Sequence, residues 1–432
     1  MDMTYFFQFL FIALLASMSY LIAMRFKGIL ATIRLSQPIQ LSDQPAERWK
    51  RVFLLAFGQK KMFQKPFVGF MHFLIYIGFI LINAEILEIM LDGILGTHRL
   101  FAPFLGTLYP LLLNFFELLA GGVFLACLVF FARRGIFKVQ RLQPEKHSEL
   151  KGFPIKDAYT ILIVECVLMM ALWTMNAADA VLQSRGVEHY HEVGSFIVSE
   201  NLIPFLDSYS SEALYLLERI AWWFHIAGIL AFAVYVTYSK HLHIFLAFPN
   251  TWYSNLKPKG EMPNMPEVTQ EVNMMLGIPV ENPSAPPAEI GRFGAKDIND
   301  LSWVNVLNAY SCTECGRCSS ECPANLTGKK LSPRKIMMDV RDRAEEVGKS
   351  IDAGGPGLAD GKSLLGDYIT KEEINACTSC NACVEACPIN IDPLSIILQM
   401  RRYVAMEESG TPAQWNAMFQ NMETSFSPWK FS

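Results

Sequence analysis

Cys312-Thr-Glu-Cys315-Gly-Arg-Cys318-Ser-Ser-Glu-Cys322-Pro323 and Cys377-Thr-Ser-Cys380-Asn-Ala-Cys383-Val-Glu-Ala-Cys387-Pro388 are two copies of one spacing, and they hold eight of the ten cysteines in the chain. Short spacers let the first three thiolates of a run converge on one centre, and the proline after the fourth turns the chain away from a continuing helix. The pattern matches the bacterial run that holds cubane iron–sulfur clusters, in which the fourth cysteine crosses over to the other cluster. The expected sets are Cys312, Cys315, Cys318 and Cys387 on one [4Fe-4S] cluster, and Cys377, Cys380, Cys383 and Cys322 on the other. Paired Cys-x2-Cys units would also suit structural zinc. Four cysteines within eleven residues, closing each time in Cys-Pro, weigh against zinc.

Cluster thiolates must stay reduced until the cluster is inserted, which places this part of the chain in the cytoplasm. The other two cysteines, Cys127 and Cys166, lie in apolar runs and read as small core residues. Outside the runs the composition is not that of a soluble protein: 52% of the 432 residues are hydrophobic and the mean hydropathy is positive. A formal net charge of −4 does not suggest a nucleic-acid partner.

Five apolar runs are long enough to span a bilayer: Tyr5 to Met24, Phe67 to Leu91, Phe104 to Phe131, Ile155 to Leu182 and Leu214 to Tyr238. No Lys or Arg precedes the first, so it reads as a span and not a signal peptide. The loop from Arg25 to Lys65 carries nine Lys or Arg against two acids, and that from Arg133 to Lys156 seven against two. Positive loops stay inside, so both are expected in the cytoplasm, with the N-terminus outside and the fifth span delivering the cysteine runs to the cytoplasmic face. In the first loop, the basic and aromatic stretch Arg48 to Phe57 reads as an interfacial helix.

Histidines at membrane depth are costly and face a bundle interior. His72 lies near the cytoplasmic end of the second span and His243 just beyond the fifth, so their depths match. Neutral imidazoles are good haem ligands, and this pair is expected to ligate a haem b. His225 and His243 are 18 residues apart, so a fifth helix continuing to Phe245 would place them on one face about 27 Å apart. His241 is a substitute for His243; His225 has no evident second ligand. His98, His189 and His191 read as surface residues of outer loops. The carboxylates Glu85, Glu88, Glu117 and Glu165 lie within spans and are candidates for proton exchange with a quinone, or for helix–helix hydrogen bonding.

In the order Gly69-x2-His72, Trp222-Trp223-x-His225 and Ser239-Lys240-x2-His243-Ile244-Phe245, the membrane half resembles the haem b subunits of the respiratory nitrate reductase gamma type and of membrane-bound heterodisulfide reductase. The cysteine half is similar to the dicluster subunit of heterodisulfide reductases. The resemblance implies an oxidoreductase subunit in a prokaryotic cytoplasmic membrane. It would move electrons between the quinone pool and a soluble cytoplasmic partner through haem b and two [4Fe-4S] clusters. Two departures stand out. Asn83 occupies roughly the place of a second histidine on the second span, and no Cys-Cys-Gly motif follows Cys387. Thiol or disulfide chemistry is thus expected on another polypeptide, a cysteine-rich heterodisulfide reductase-like protein or a flavoprotein. An electron conduit or redox-sensing anchor without its own quinone site is the alternative.

The expected architecture is an all-α membrane bundle of five transmembrane helices followed by a mainly α-helical dicluster ferredoxin-type domain. Residues 1–247 would form the haem b domain and 248–299, with eight prolines, an extended linker. Residues 300–406 would form the two-cluster domain and 407–432 a tail whose Trp429 to Phe431 end could dock a partner. Gly354 to Gly357 lacks phosphate-loop spacing and reads as a plain loop.

Overall fold

The computed structural model describes residues 3–279 and 292–429. Among these residues there is no β-strand, only the isolated bridges Gln37 to Ser302 and Leu365 to Ile369. Five helices are long and apolar enough to cross a membrane: α1 (Met3–Ile33), α2 (Pro66–Leu95), α3 (Leu108–Gly135), α4 (Phe153–Ser184) and α5 (Ser211–Val236). The chain divides into two compact units, one of residues 1–28 and 57–245, the other of 29–56 and 246–432.

In the first unit α2, α3, α4 and α5 pack around a core that includes Ile82, Ala120, Leu172, Trp222 and Ile226. Close approach is set by small residues. A Cβ on Gly78 would sit 2.5 Å from the Val123 side chain, so α2 and α3 meet at a distance only glycine permits. Helix α1 leans on this core through buried Phe11, whose ring lies 5.5 Å from Trp222 and 6.0 Å from Trp223. The spans begin and end on local signals: prolines in the first turns of α2 and α4, Ser210 accepting from the Ala213 N–H at α5, and Gly96 in the left-handed region after α2.

The end of α5 departs from expectation. The helix stops at Val236, and after a 3₁₀ turn at Lys240–Leu242 a new helix, α6 (His243–Trp252), begins. Asp157 of α4 causes the break, accepting from the Tyr235 hydroxyl at 2.6 Å and the Lys240 N–H at 3.2 Å, while Lys240 Nζ donates to the Pro154 carbonyl at 2.6 Å. Ser239 caps the turn by accepting from the His241 N–H. His225 and His243 therefore do not share one continuous helix face.

The second unit gathers α7 (Trp303–Tyr310), α8 (Pro333–Asp352) and α9 (Pro393–Met406) around the cysteine runs. Residues 29–56 belong here and not with the spans. Gln37 pairs by backbone with Leu301 and Trp303, and the buried guanidinium of Arg48 donates to Asp43, to the Trp252 carbonyl at 2.7 Å and to the Ser254 carbonyl. The basic stretch forms a helix, Pro45–Arg51, that widens into a π turn over Val52–Phe57 with Trp49, Phe53 and Leu54 exposed. The proline-rich segment is likewise not uniformly extended. It includes part of α6 and the helix Pro266–Met275, and Ala295 and Ile298 are buried. Its residues 280–291, and residues 430–432 of the tail, lie outside the described residues. The remaining tail carries a helix, Ala413–Ser425, none of whose residues is buried.

Arg343 of α8 is fully buried between Asp297 at 2.8 Å and Asp360 at 2.6 Å and also donates to the Lys362 carbonyl. Removing one partner of a buried pair strands the other charges. Arg343→Ala is therefore expected to cost about 3 kcal/mol or more, read as a lowered thermal midpoint and increased proteolysis of residues 292–429.

Candidate functional site

Both cysteine runs take one backbone path. The residue two after the first cysteine has a positive φ in each, 56° at Glu314 and 54° at Ser379, and so does the residue after the second cysteine, 71° at Gly316 and 60° at Asn381. These reversals curl the segment so that its own amides point inward: the N–H groups of Glu314 and Ser379 donate to the sulfurs of Cys312 and Cys377, each at 3.4 Å. A Gly and an Asn occupy the tightest positions because they tolerate the left-handed region.

Sulfurs of the two runs lie near one another, and those around Cys318 include Cys383 as well as Cys387. Burial first, and then the sulfurs of Cys312, Cys315, Cys387 and Cys383, push the Cys318 thiol far above its ordinary range. The Cys383 thiol is raised by burial, then by Asp392 and the sulfurs of Cys377 and Cys322. Cys387 thus returns beside the first run and Cys322 beside the second, carried by short helices at Arg317–Ser320 and Ala382–Ala386 that pack together. None of the eight cysteines is in a disulfide. Burial pushes Cys312 up to about 12, with the Glu314 N–H opposing it, so iron must displace a proton to bind there. Among the described residues no three donors converge on the point a single metal ion would occupy.

The surroundings of the two loops differ. Glu314, Gly316, Arg317 and Ser319 are all buried around the first, whereas Thr378, Cys380 and Glu385 are exposed around the second. Arg341 of α8 pairs with buried Glu314 at 2.8 Å, and Arg401 of α9 ties the second loop by donating to the carbonyls of Ile374, Asn375 and Cys377 and to the Ser379 hydroxyl. Neither arginine was picked out from the sequence, for both lie on helices remote from the cysteines; only their positions on buried faces hint at the role.

In the membrane unit three histidines share one posture. His72 Nδ1–H donates to Gln59 Oε1 at 3.0 Å, His225 Nδ1–H to the Leu168 carbonyl at 3.0 Å, and His243 Nδ1–H to the Lys240 carbonyl at 3.1 Å. A carbonyl acceptor fixes the neutral tautomer and leaves the lone pair on Nε2, which suits a metal ligand. His225 Nε2 is fully buried and has no hydrogen-bond partner among the described residues. The His72 and His243 rings lie 6.3 Å apart between centroids, with His241 a further neighbour at 5.4 Å from His243. Burial, then the imidazoles of His243 and His72, push His241 down to about 3, and burial lowers His243 against the pull of the Lys240 carbonyl. Both are neutral at pH 7. Asn83 is exposed and donates back to the Phe79 carbonyl, away from these rings.

The four carboxylates fare differently. Glu117 is saturated by Asn176, the N–H groups of Val198 and Ser199 and the Ser199 hydroxyl, which makes it a pin for the loop after α4. Glu88 accepts from the Phe101 N–H at 2.7 Å and the Tyr109 hydroxyl at 2.8 Å. Glu165 is half-buried on α4 beside Cys127 and Cys166. Glu85 Oε1 is buried without a hydrogen bond among the described residues, 3.7 Å from Arg99. Arg99 pairs with Asp179 at 2.9 Å, and Arg219, near the start of α5, holds Glu218. His98 is no surface residue: its side chain reaches Asp179 at 3.3 Å and lies 5.0 Å from the Tyr190 ring.

Residues 311–391 match the 4Fe-4S dicluster domain. That match accounts for the twin loops. Over nearly its whole length the chain is similar to two larger proteins. It is 27% identical to the "Probable iron-sulfur-binding oxidoreductase FadF" of Bacillus subtilis, covering 97% of this chain and 59% of that protein. It is also 27% identical to the EtfAB:quinone oxidoreductase of Syntrophomonas wolfei, covering 90% of this chain and 53% of that one. The chain thus spans little more than half the length of these relatives. Over 26% of its length it is 31% identical to one subunit of the Ferredoxin/F(420)H(2)-dependent CoB-CoM heterodisulfide reductase of Methanosarcina acetivorans, and the match takes in 56% of that protein. No solved structure matches.

The loop conformation makes a sharp test. A β-branched residue at Gly316 is incompatible with its φ of 71°, so Gly316→Val is expected to lower bound iron from about eight to about four atoms per chain. Asn381→Gly, which relieves the equivalent position, should leave it unchanged in iron and acid-labile sulfide analysis.

Proposed function

We propose that this chain is the membrane subunit of an oxidoreductase that moves electrons between the quinone pool and a soluble redox partner, through haem b and two [4Fe-4S] clusters. The observation that carries the reading is the paired posture of His72 and His243, imidazoles with Nδ1 tied to carbonyl oxygens, in a chain that also holds the twin cysteine loops. With metal–nitrogen bonds of about 2 Å, two rings flanking one metal lie about 6 Å apart between centroids, and the 6.3 Å separation fits that donor set. Haem held by two histidines would supply one-electron transfer without an open position for oxygen. His225, with its unpartnered Nε2, fits a ligand of a second such group, although no second protein ligand faces it among the described histidines.

In this reading Cys312, Cys315, Cys318 and Cys387 hold one cluster and Cys377, Cys380, Cys383 and Cys322 the other. In it the membrane domain comprises the five spans, and the excess of Lys and Arg in the loops before α2 and after α3 supports the cysteine loops on the cytoplasmic side of a prokaryotic membrane, with the N-terminus outside. Similarity to an EtfAB:quinone oxidoreductase supports a quinone on one side and a soluble flavoprotein on the other, and similarity to a heterodisulfide reductase component supports a cysteine-rich partner as the second choice. Substrate chemistry then belongs to the partner.

Two results are expected. A reduced-minus-oxidised spectrum of the purified protein should show a b-type band that is lost in His72→Ala and in His243→Ala while the iron–sulfur EPR signals persist. Mixing with a reduced quinol analogue should reduce the wild-type band; a band that no quinol reduces, and no quinone-site inhibitor shifts, would leave a conduit or anchor without its own quinone site.

A further inference from the structure

At the end of the bundle remote from His72, α2, α3 and the turn between them enclose a recess of about 490 Å³. Its size lies in the range of small-molecule sites. The walls are almost entirely apolar and largely aromatic, with Phe101, Phe104, Tyr109 and Phe116 among them, and the polar residues on it are Glu85, Glu88 and Tyr109. Glu88 and Tyr109 satisfy each other at 2.8 Å. Glu85 does not fit that pattern. It is 2% exposed, its Oε1 accepts no hydrogen bond among the described residues, and the nearest cation, Arg99, stands at 3.7 Å and is engaged by Asp179 at 2.9 Å.

A buried polar atom left without a partner is costly, and such atoms are rare unless something else completes them. A lipid acyl chain would fill the recess and leave Glu85 as it is. A flat ring bearing an oxygen would fill it and meet the carboxyl group as well. A quinone presents a carbonyl, which needs a donor, and its quinol presents a hydroxyl, which needs an acceptor; a carboxyl group serves both by carrying or releasing one proton. Of the four carboxylates considered from the sequence, Glu117 is saturated, Glu88 is occupied by Tyr109 and the Phe101 amide, and Glu165 lies on another helix outside the recess.

We infer that this recess between α2 and α3 takes the quinone ring, with the Glu85 carboxyl hydrogen-bonded to one ring oxygen and Phe101, Phe104 and Phe116 against its faces. The inference rests on the quinone-linked reading above and gives it a place. Along α2, Glu85 is 13 residues from His72, an axial rise of about 20 Å. His225 lies between these levels, near the middle of α5.

The test uses the full-length protein in detergent and an alkyl hydroxyquinoline N-oxide, a flat bicyclic quinone mimic whose fluorescence is quenched on binding. The wild type is expected to bind at one saturable site. Ala84→Trp, at an exposed position on the rim, should fill the recess and abolish binding. Glu85→Leu should weaken binding about tenfold, the loss of one hydrogen bond. Leu118→Ala, at an exposed position on α3 that does not line the recess, should not change it. Size-exclusion profile and cluster absorbance report folding, and should Glu85→Leu fail them, Ala84→Trp decides alone. Saturable binding that survives both recess variants overturns the inference and leaves the quinone-linked reading standing with its site elsewhere. No saturable binding to the wild type overturns both.

Discussion

The return of Cys387 to the side of Cys318, and of Cys322 to the side of Cys377, is the contact on which the second unit depends. In the proposed grouping each run presents three sulfurs to one centre and sends its fourth to the other, so neither site is complete until the other loop has folded against it. The 54 residues between the runs must bring them together, and α8 does so, with Arg343 buried between two carboxylates and Arg341 reaching Glu314 inside the first loop. Around them lies a buried apolar core that includes Ile336, Val340, Leu364, Ile396 and Met400. Directional, charge-assisted bonds from arginines to loop carbonyls and carboxylates set the register that apolar contacts leave loose.

The membrane unit is organised by the opposite constraint. Its spans are apolar on nearly every side, and what distinguishes one helix face from another is where a polar group finds its partner. At one end Asp157 stops α5 and turns the chain so that His243 enters from a fresh helix. At the other end Arg99, Asp179, Asn176 and Glu117 form a connected set that locks the turn after α2 to α4 and to the loop following it. In a low-dielectric setting such groups must be satisfied internally, and the few atoms that are not, on Glu85, His98, His225 and the Trp173 indole among them, mark places where the bundle is chemically unfinished.

What the sequence revealed and what it hid follow from range. The five spans and their number were legible because hydropathy is a local property, and the twin cysteine runs because their spacing is itself the signal. Gln59 as the partner of His72 was not: it sits in a loop 13 residues away, in a left-handed conformation that no composition rule assigns. The pairing of Arg99 with Asp179, 80 residues apart, was hidden in the same way, and it reversed the reading of His98 as a surface residue. The grouping of residues 29–56 with the cysteine loops rests on long-range contacts such as the backbone bonds at Gln37 and the buried Arg48, which a charge count over that loop does not report.

The unequal burial of two otherwise identical loops has an electrochemical meaning. Reduction adds negative charge to a cluster, and water stabilises that charge better than a protein interior does. In the proposed grouping, the cradle that includes exposed Cys380 is the wetter of the two and that of Cys312 the drier. With the same spacing and the same amide-to-sulfur bond in both, solvation, together with the different charged neighbours, Arg341 and Glu314 at the first loop and Arg401 at the second, would separate their affinities for an electron. A repeated motif thereby becomes a step in potential, its direction set by which copy the rest of the chain leaves uncovered.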